Sequence, residues 1–279
     1  MLRPFIWCSA LLLTMACTTA ETDPVRLRIL SFNDFHGNIQ AAKPSPGRLP
    51  VTINGQTEMV EAGGAAYFAT LVAQEKAGHP NSIVVSAGDL TGASPLVSAL
   101  LKDEPTINVM NGIGLDLNVV GNHEFDYGAK ELGRKKSGDA SFKGAAFDYL
   151  AANVVAVDTG APLFPPYAIR TFGGVKVGFI GVVTAETPTI VAAAGVKGLS
   201  FKDPTETLNR YAAELRKQGV EAIVAVMHEG ATVPADIAQD GSPCQGMIGA
   251  LTDIVAKADP AIDLFITGHT HQAYACRLN

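Results

Sequence analysis

Leu117-Asn118-Val119-Val120-Gly121-Asn122-His123-Glu124-Phe125-Asp126 sets a short apolar run against a polar exit that begins with glycine. A run from Leu117 to Val120 is too short for an ordinary helix and suits a strand buried on both faces. The polar residues then fall at the carboxyl end of that strand. The same rhythm recurs in both directions along the chain. Val25 to Asn33 alternates, turns apolar at Leu30 and Phe32, and ends in Asp34-Phe35-His36-Gly37. Ser82 to Ser86 leads to Gly88-Asp89, Ala222 to Met227 ends at His228, and Ile262 to Thr267 ends at Gly268-His269-Thr270-His271.

Between these strands, Gly63 to Ala77, Ser94 to Leu101, Pro204 to Gln218 and Gly246 to Ala258 have helical spacing. Ala151 to Val157 reads as a further strand. Tyr167 to Phe172 and Val175 to Val183, parted by Gly173-Gly174, predict an antiparallel hairpin. Lys43 to Pro50, rich in proline, and the polar stretch Arg134 to Lys143 read as loops. Helices alternating with short apolar strands predict a layered α/β fold around a largely buried sheet. In such folds ligands bind at the carboxyl edge of the strands. Asp34, Asp89, Asn122, His228 and His269 all fall there.

The chain has 279 residues, 47% of them hydrophobic, enough for one large core without low-complexity tracts. Its net charge of −6 argues against a nucleic-acid polymer as partner, because binding a phosphate backbone calls for a basic surface. A phosphate-bearing small molecule would need local positive charge, which bound metals supply. Residues 1–20 read as an export leader: Arg3 is its basic head and Phe5 to Ala16 its apolar run, too short to span a membrane. Cleavage after Ala20 and a lipoprotein-type cut leaving Cys17 are both open, so a membrane anchor would come only through Cys17. The protein is expected in the periplasm or at the cell envelope. Outside the leader and its edge, Cys244 and Cys276 remain. Under oxidising conditions we expect them to form a disulfide, the alternative being two separate thiols.

Five of the six histidines lie in the strand exits. One such histidine alone is ordinarily a hydrogen-bonded core or surface residue. Five together with aspartates and an asparagine point to metal ligation. Residues i and i+2 of an extended segment point the same way, so Asp34 with His36, and His269 with His271, would each offer two donors to one side. Mixed nitrogen and oxygen donors suit two divalent ions drawn from zinc, manganese, magnesium, cobalt or iron. Asp89 could bridge the pair, which would activate a water and stabilise entering and leaving oxygens. His123 is expected to face substrate, with Asp126 orienting the imidazole and keeping it protonated more readily by placing an anion beside its second nitrogen. His79 reads as a surface residue and Arg134-Lys135-Lys136 as a solvated loop. No phosphate-binding glycine loop or zinc-protease helix is present.

Taken in order, Asp34-Phe35-His36, Gly88-Asp89, Asn122 to Asp126, His228 and Gly268 to His271 resemble the motif set of the calcineurin-like metallophosphoesterases, 5'-nucleotidase branch. The resemblance covers residue 25 to the chain end. It implies an α/β/β/α sandwich of mixed sheets flanked by helices, with residues 25–279 forming an incomplete catalytic domain. The branch's C-terminal substrate-binding domain would be absent. It further implies Asp34, His36, Asp89 and His271 on one metal, Asp89, Asn122, His228 and His269 on the other, and His123 and Asp126 as the catalytic pair. The implied reaction is hydrolysis of nucleoside 5'-phosphates. The same site would also suit 2',3'-cyclic-nucleotide, UDP-sugar or thiosulfate-ester hydrolysis. Metal or nucleotide binding without turnover is the reading of a different class.

Overall fold

The structure, a computed structural model, describes residues 23–41, 48–53, 56–61, 63–234 and 244–277. The expected leader at 1–20, its two cleavage points, and most of the expected Lys43 to Pro50 loop lie outside these residues. In chain order the elements are β1 (Arg28–Phe32), β2 (Arg48–Ile53), β3 (Gln56–Glu61), α1 (Ala65–Lys76), β4 (Ser82–Ser86), α2 (Leu96–Ala99), α3 (Glu104–Ile113) and β5 (Leu117–Val119). A 3-10 turn at His123–Phe125 follows, then α4 (Gly128–Ser137), β6 (Asp148–Leu150), β7 (Val154–Ala156), β8 (Tyr167–Phe172) and β9 (Val175–Val183). The remainder is α5 (Thr187–Ile190), β10 (Leu199–Phe201), α6 (Pro204–Lys217), β11 (Ala222–His228), α7 (Ala250–Lys257) and β12 (Leu264–Thr267).

Two four-stranded sheets carry the fold. The first, in the order β1-β4-β5-β6, is wholly parallel. The second, β12-β11-β9-β8, is parallel except for β8, which pairs antiparallel with β9 as the hairpin reading anticipated. Apolar side chains divide by alternation into three layers. Ile83, Val85, Leu117, Val119, Leu150, Phe179, Val224 and Val226 meet between the sheets. Val84 and Tyr149 face Val72, Ile107, Met110 and Leu132 of α1, α3 and α4. Ile180, Val182, Ile223 and Met227 face α6 and α7 through Leu208, Leu215, Leu251 and Ile254. This is the α/β/β/α sandwich. Burial on both faces explains why the central strands read as continuous apolar runs.

Local chemistry sets the helix ends. Asp203 caps α6 by accepting from the Glu206 N–H at 2.8 Å, with Pro204 at the first helical position and Arg216 and Lys217 in the last turn. The expected helix at Ser94 to Leu101 shortens to α2. Other features differ from the sequence reading. Helices α3 and α5, strands β6 and β10 and the hairpin β2–β3 were not expected, β2 takes Arg48 to Pro50 out of the expected loop, and the expected strand Ala151 to Val157 is reduced to β7. Arg134-Lys135-Lys136 lies in α4 rather than in a solvated loop. Lys135 is fully buried there. A charged run hides a helix whose buried face holds only Leu132 and Lys135.

Cys244 and Cys276 are joined, with Cα atoms 5.2 Å apart. The bridge ties the segment after His271 to the loop before α7. Strand β12 pairs only with β11 among the described residues, and Leu264 at its outer side is exposed. No helix among the described residues is long and apolar enough to cross a membrane.

Candidate metal centre

All the expected donors converge at the carboxyl ends of β1, β4, β5, β11 and β12. Asp34, His36 and His271 form one group, with ligand atoms all within 4.8 Å of one another. His36 Nε2 lies 3.2 Å from His271 Nε2 and 3.9 Å from Asp34 Oδ1. His36 Nδ1 faces the Gly92 carbonyl at 3.0 Å, so its proton belongs there and Nε2 turns inward as an acceptor. Asp34 receives the His269 N–H at 3.0 Å and the Asn33 amide at 2.5 Å.

Asp89, His228 and His269 form the second group under the same 4.8 Å limit. His228 is fully buried: Nδ1 donates to the Ala87 carbonyl at 2.9 Å, while Nε2 lies 3.0 Å from Asn122 Oδ1 and 3.1 Å from Asp89 Oδ2. Asp89 Oδ2 is also 3.8 Å from His36 Nε2, so this carboxylate stands between the groups. His123 lies beside them: its N–H donates to Asp89 Oδ1 at 2.9 Å, and its ring centroid is 5.2 Å from that of His36. Asp126 Oδ2 pairs with His123 Nδ1 at 2.9 Å and accepts the Ala93 N–H at 3.2 Å.

The placement of the two i, i+2 pairs corrects the spacing argument. Asp34, His36, Asp89, His269 and His271 have φ of 50°, 46°, 49°, 74° and 53°, so these exits are left-handed turns, not extended strand. His269 and His271 accordingly part, one to each group. Such conformations cost roughly 1 kcal/mol or more apiece and persist only where surrounding contacts impose them. Those contacts are close. A Cβ on Gly121 would lie 2.1 Å from Asp89 Oδ1, and one on Gly88 2.5 Å from His228 Nδ1. This is why the exits of β4 and β5 carry glycine at these positions.

Excess negative charge marks the centre. Burial opposes charging of His228, but the hydrogen bond and charge of Asp89 outweigh it and raise the imidazole to about 9. Burial likewise opposes ionisation of Asp89, yet His228 and the His123 N–H hold its carboxyl below the usual range. Burial, followed by the His228 charge, lowers His269. The added proton on His228 Nε2 lies against Asp89 Oδ2 and Asn122 Oδ1. A histidine raised in the folded state stabilises it fully below the unfolded pKa near 6.5 and loses that contribution as pH rises through about 9. The metal-free protein should therefore unfold at lower urea concentration as pH climbs through that window, and added divalent metal should flatten the trend. Asp89 does not contribute to this loss, since its depressed pKa matters only in acid.

Glu124 has a part in the centre that its place in the sequence does not announce. It is wholly buried, and its two oxygens accept the N–H groups of Asp89 (3.0 Å), Thr91 (3.1 Å) and Gly121 (2.5 Å), joining two ligand-bearing loops. Burial, reinforced by Asp89, pushes its carboxyl up to about 7. The glutamine variant keeps one acceptor for three donors and turns an amide NH2 toward at least one of them. It should cost about 1–3 kcal/mol, read as a lower urea midpoint with unchanged slope.

The sequence profile of the calcineurin-like phosphoesterases matches residues 27–273. The chain belongs to this family. The chain is 38% identical over 94% of its length to endonuclease YhcR of Bacillus subtilis, and 38% identical over 91% to the cell wall protein Lmo0130 of Listeria monocytogenes. It is 32% identical over 92% to a 5'-nucleotidase of Vibrio cholerae. It spans 21%, 35% and 43% of those relatives' own lengths. Among solved structures, the calcineurin-like phosphoesterase YfkN of Bacillus subtilis superposes with a TM-score of 0.67 at 28% identity, covering 89% of this chain and 73% of that one. Calcineurin-like phosphoesterases use a dinuclear metal centre, and this chain presents two candidate groups among its described residues. Each buried imidazole gives its second nitrogen to a backbone carbonyl, an outer contact that fixes ligating histidines.

Proposed function

We propose that the chain is the catalytic domain of an exported two-metal phosphoesterase that hydrolyses nucleotide phosphate esters, nucleoside 5'-phosphates foremost. The observation that carries this reading is the single carboxylate, Asp89, standing between two donor groups with His123 and Asp126 beside them. Asp34, His36, Asp89 and His271 would hold one divalent ion, and Asp89, Asn122, His228 and His269 the other. Imidazole nitrogens with carboxylate and amide oxygens fit zinc, manganese, magnesium, cobalt or iron. Such ions supply Lewis-acid activation of water and neutralise phosphoryl charge.

The protein's own groups do the rest. Asp126 places an anion against His123 Nδ1 and raises its pKa, so the imidazole stays protonated to higher pH. With Nδ1 committed to Asp126, Nε2–H would stabilise phosphoryl oxygens or protonate the leaving oxygen. The 5'-nucleotidase relative supports the substrate class, and the cell wall relative together with the apolar leader supports export. A further substrate-binding domain, present in the nucleotidase branch, would provide base selection.

The deciding experiment loads the protein with zinc or manganese and measures products from AMP, 2',3'-cyclic AMP, UDP-glucose, thiosulfate esters and p-nitrophenyl phosphate. Phosphate release fastest from AMP is expected. Faster turnover of the cyclic or sugar nucleotide would move the substrate assignment while keeping the site. Tight metal binding with no turnover of any ester would make the chain a binding module. Because one relative is named an endonuclease and this chain carries a charge of −6, single-stranded DNA belongs in the panel, with no cleavage expected.

A further inference from the structure

Beneath the candidate centre, residues Asp89 to Ala93 form a strip with nearly every peptide group engaged. The N–H groups of Asp89 and Thr91 go to Glu124, that of Gly92 to Asp103 Oδ2 at 3.1 Å, and that of Ala93 to Asp126. On the opposite side the Asp89 and Leu90 carbonyls accept the N–H groups of His36 and Gly37, and the Gly92 carbonyl accepts from His36 Nδ1. Gly92 is thus anchored on both sides of its Cα: Asp103 accepts the N–H of the peptide before it, and the peptide after it gives its carbonyl to the His36 imidazole and its N–H, that of Ala93, to Asp126.

Asp103 is fully buried in a left-handed conformation, φ 68°, and its other oxygen has no hydrogen-bond partner among the described residues. Its counter-charge is Lys135, also fully buried, with Nζ 3.8 Å from Asp103 Oδ2. That ammonium donates to Thr91 Oγ1 at 3.1 Å and sits 5.2 Å from the Tyr127 ring centroid. Both its polar contacts therefore bear on the strip. Tying α4 to α3 does not require it, because the neighbouring Arg134 already bridges Glu104, Glu131 and Asp139 at the surface. A buried ion pair is also a poor stabiliser, since desolvation offsets most of the attraction and apolar residues of similar volume serve as well. Its presence calls for a different account.

We propose that Asp103, kept in the core by its buried counter-charge Lys135, is a positioning residue for the first donor group. Its carboxylate anchors the Gly92 N–H and so fixes that Cα, and the Gly92 carbonyl locks the His36 imidazole by its Nδ1 proton, leaving Nε2 toward Asp34 and His271. The proposal deepens the metal reading given above and rests on it for its consequence, though not for its geometry.

Two measurements test it. In the metal-free wild-type protein, long-range 1H–15N spectra should show His36 as the Nδ1–H tautomer; an Nε2–H tautomer overturns the proposal without reference to metal. Metal affinity is then read with zinc alone, by chelator competition, in two charge-neutral double variants. Lys135→Met with Asp103→Asn retains an acceptor for the Gly92 N–H and should keep both zinc affinities. Lys135→Met with Asp103→Leu removes it and should weaken one of the two sites about 10- to 100-fold, the scale set by outer-shell partners of ligating histidines. Equal behaviour of the two variants, at matched melting temperature, would reduce the pair to a structural one. Absence of zinc binding in the wild type would sink the proposed function instead, leaving the tautomer result to judge this inference.

Discussion

Replacing Asp89 with alanine should abolish metal binding and with it all turnover, the largest effect expected of any single substitution here. Its Oδ2 stands 3.1 Å from His228 Nε2 and 3.8 Å from His36 Nε2, and its Oδ1 accepts the His123 N–H. One truncation therefore removes the shared donor of both groups, the counter-charge that holds His228 protonated without metal, and the anchor of the His123 loop. Losing an outer-shell partner already costs about 10- to 100-fold in metal affinity, and a donor shared by two ions should cost more than that. Elemental analysis after dialysis should give less than one ion per chain, where the wild type is expected to hold two. Retention of both ions by the variant would mean that Asp89 does not bridge.

His123→Ala should separate chemistry from binding. The imidazole is not among the donors of either group, and its link to the centre is a backbone N–H that alanine keeps. Metal content should therefore stay at the wild-type value while kcat falls by roughly 10²- to 10⁴-fold, the usual contribution of a positioned general acid. Asp126→Asn gives the companion result. The Asp126 hydrogen bond is the largest influence on His123 and raises its pKa, against burial, so activity should fall on the alkaline side as that proton is lost. Removing the anion lowers the His123 pKa and should draw the alkaline limb of the rate profile to lower pH. An unshifted limb would assign it to some other group, and wild-type turnover by His123→Ala would end the role given to that residue.

The convergence of the candidate donors was legible in the sequence because each follows an apolar run that suits a buried strand, and the carboxyl edge of parallel strands is one place in space. Asp34, Asp89, Asn122, His228 and His269 needed no further information to be brought together. What the sequence could not show was the backbone that aims them. Left-handed φ at five candidate donors goes with backbone contacts to loops far away in the chain, such as the Asp34 and His36 N–H groups on the Gly88 and Asp89 carbonyls, so a spacing argument built on extended geometry failed for His269 and His271. Lys135 was misread for a related reason. Between Arg134 and Lys136 it looks like solvated charge, and only Asp103, 32 positions earlier, makes its burial tolerable. Glu124 was in plain view within the polar exit, but three peptide N–H groups from two loops mark it as a fastener, and peptides leave no signature in a sequence.

The apolar layer between the two sheets has a bearing on the centre above it. His271 and Asp34, like His228 and Asp89, come from opposite sheets, so every donor group is a jaw with one half on each side. The filling made by Phe179, Val85, Val119 and Val226 sets how far those jaws stand apart. Which ionic radius seats best would thus be gauged by side chains that own no polar atom, and a methylene gained or lost deep in that filling would be felt at the mouth as a change in the calliper.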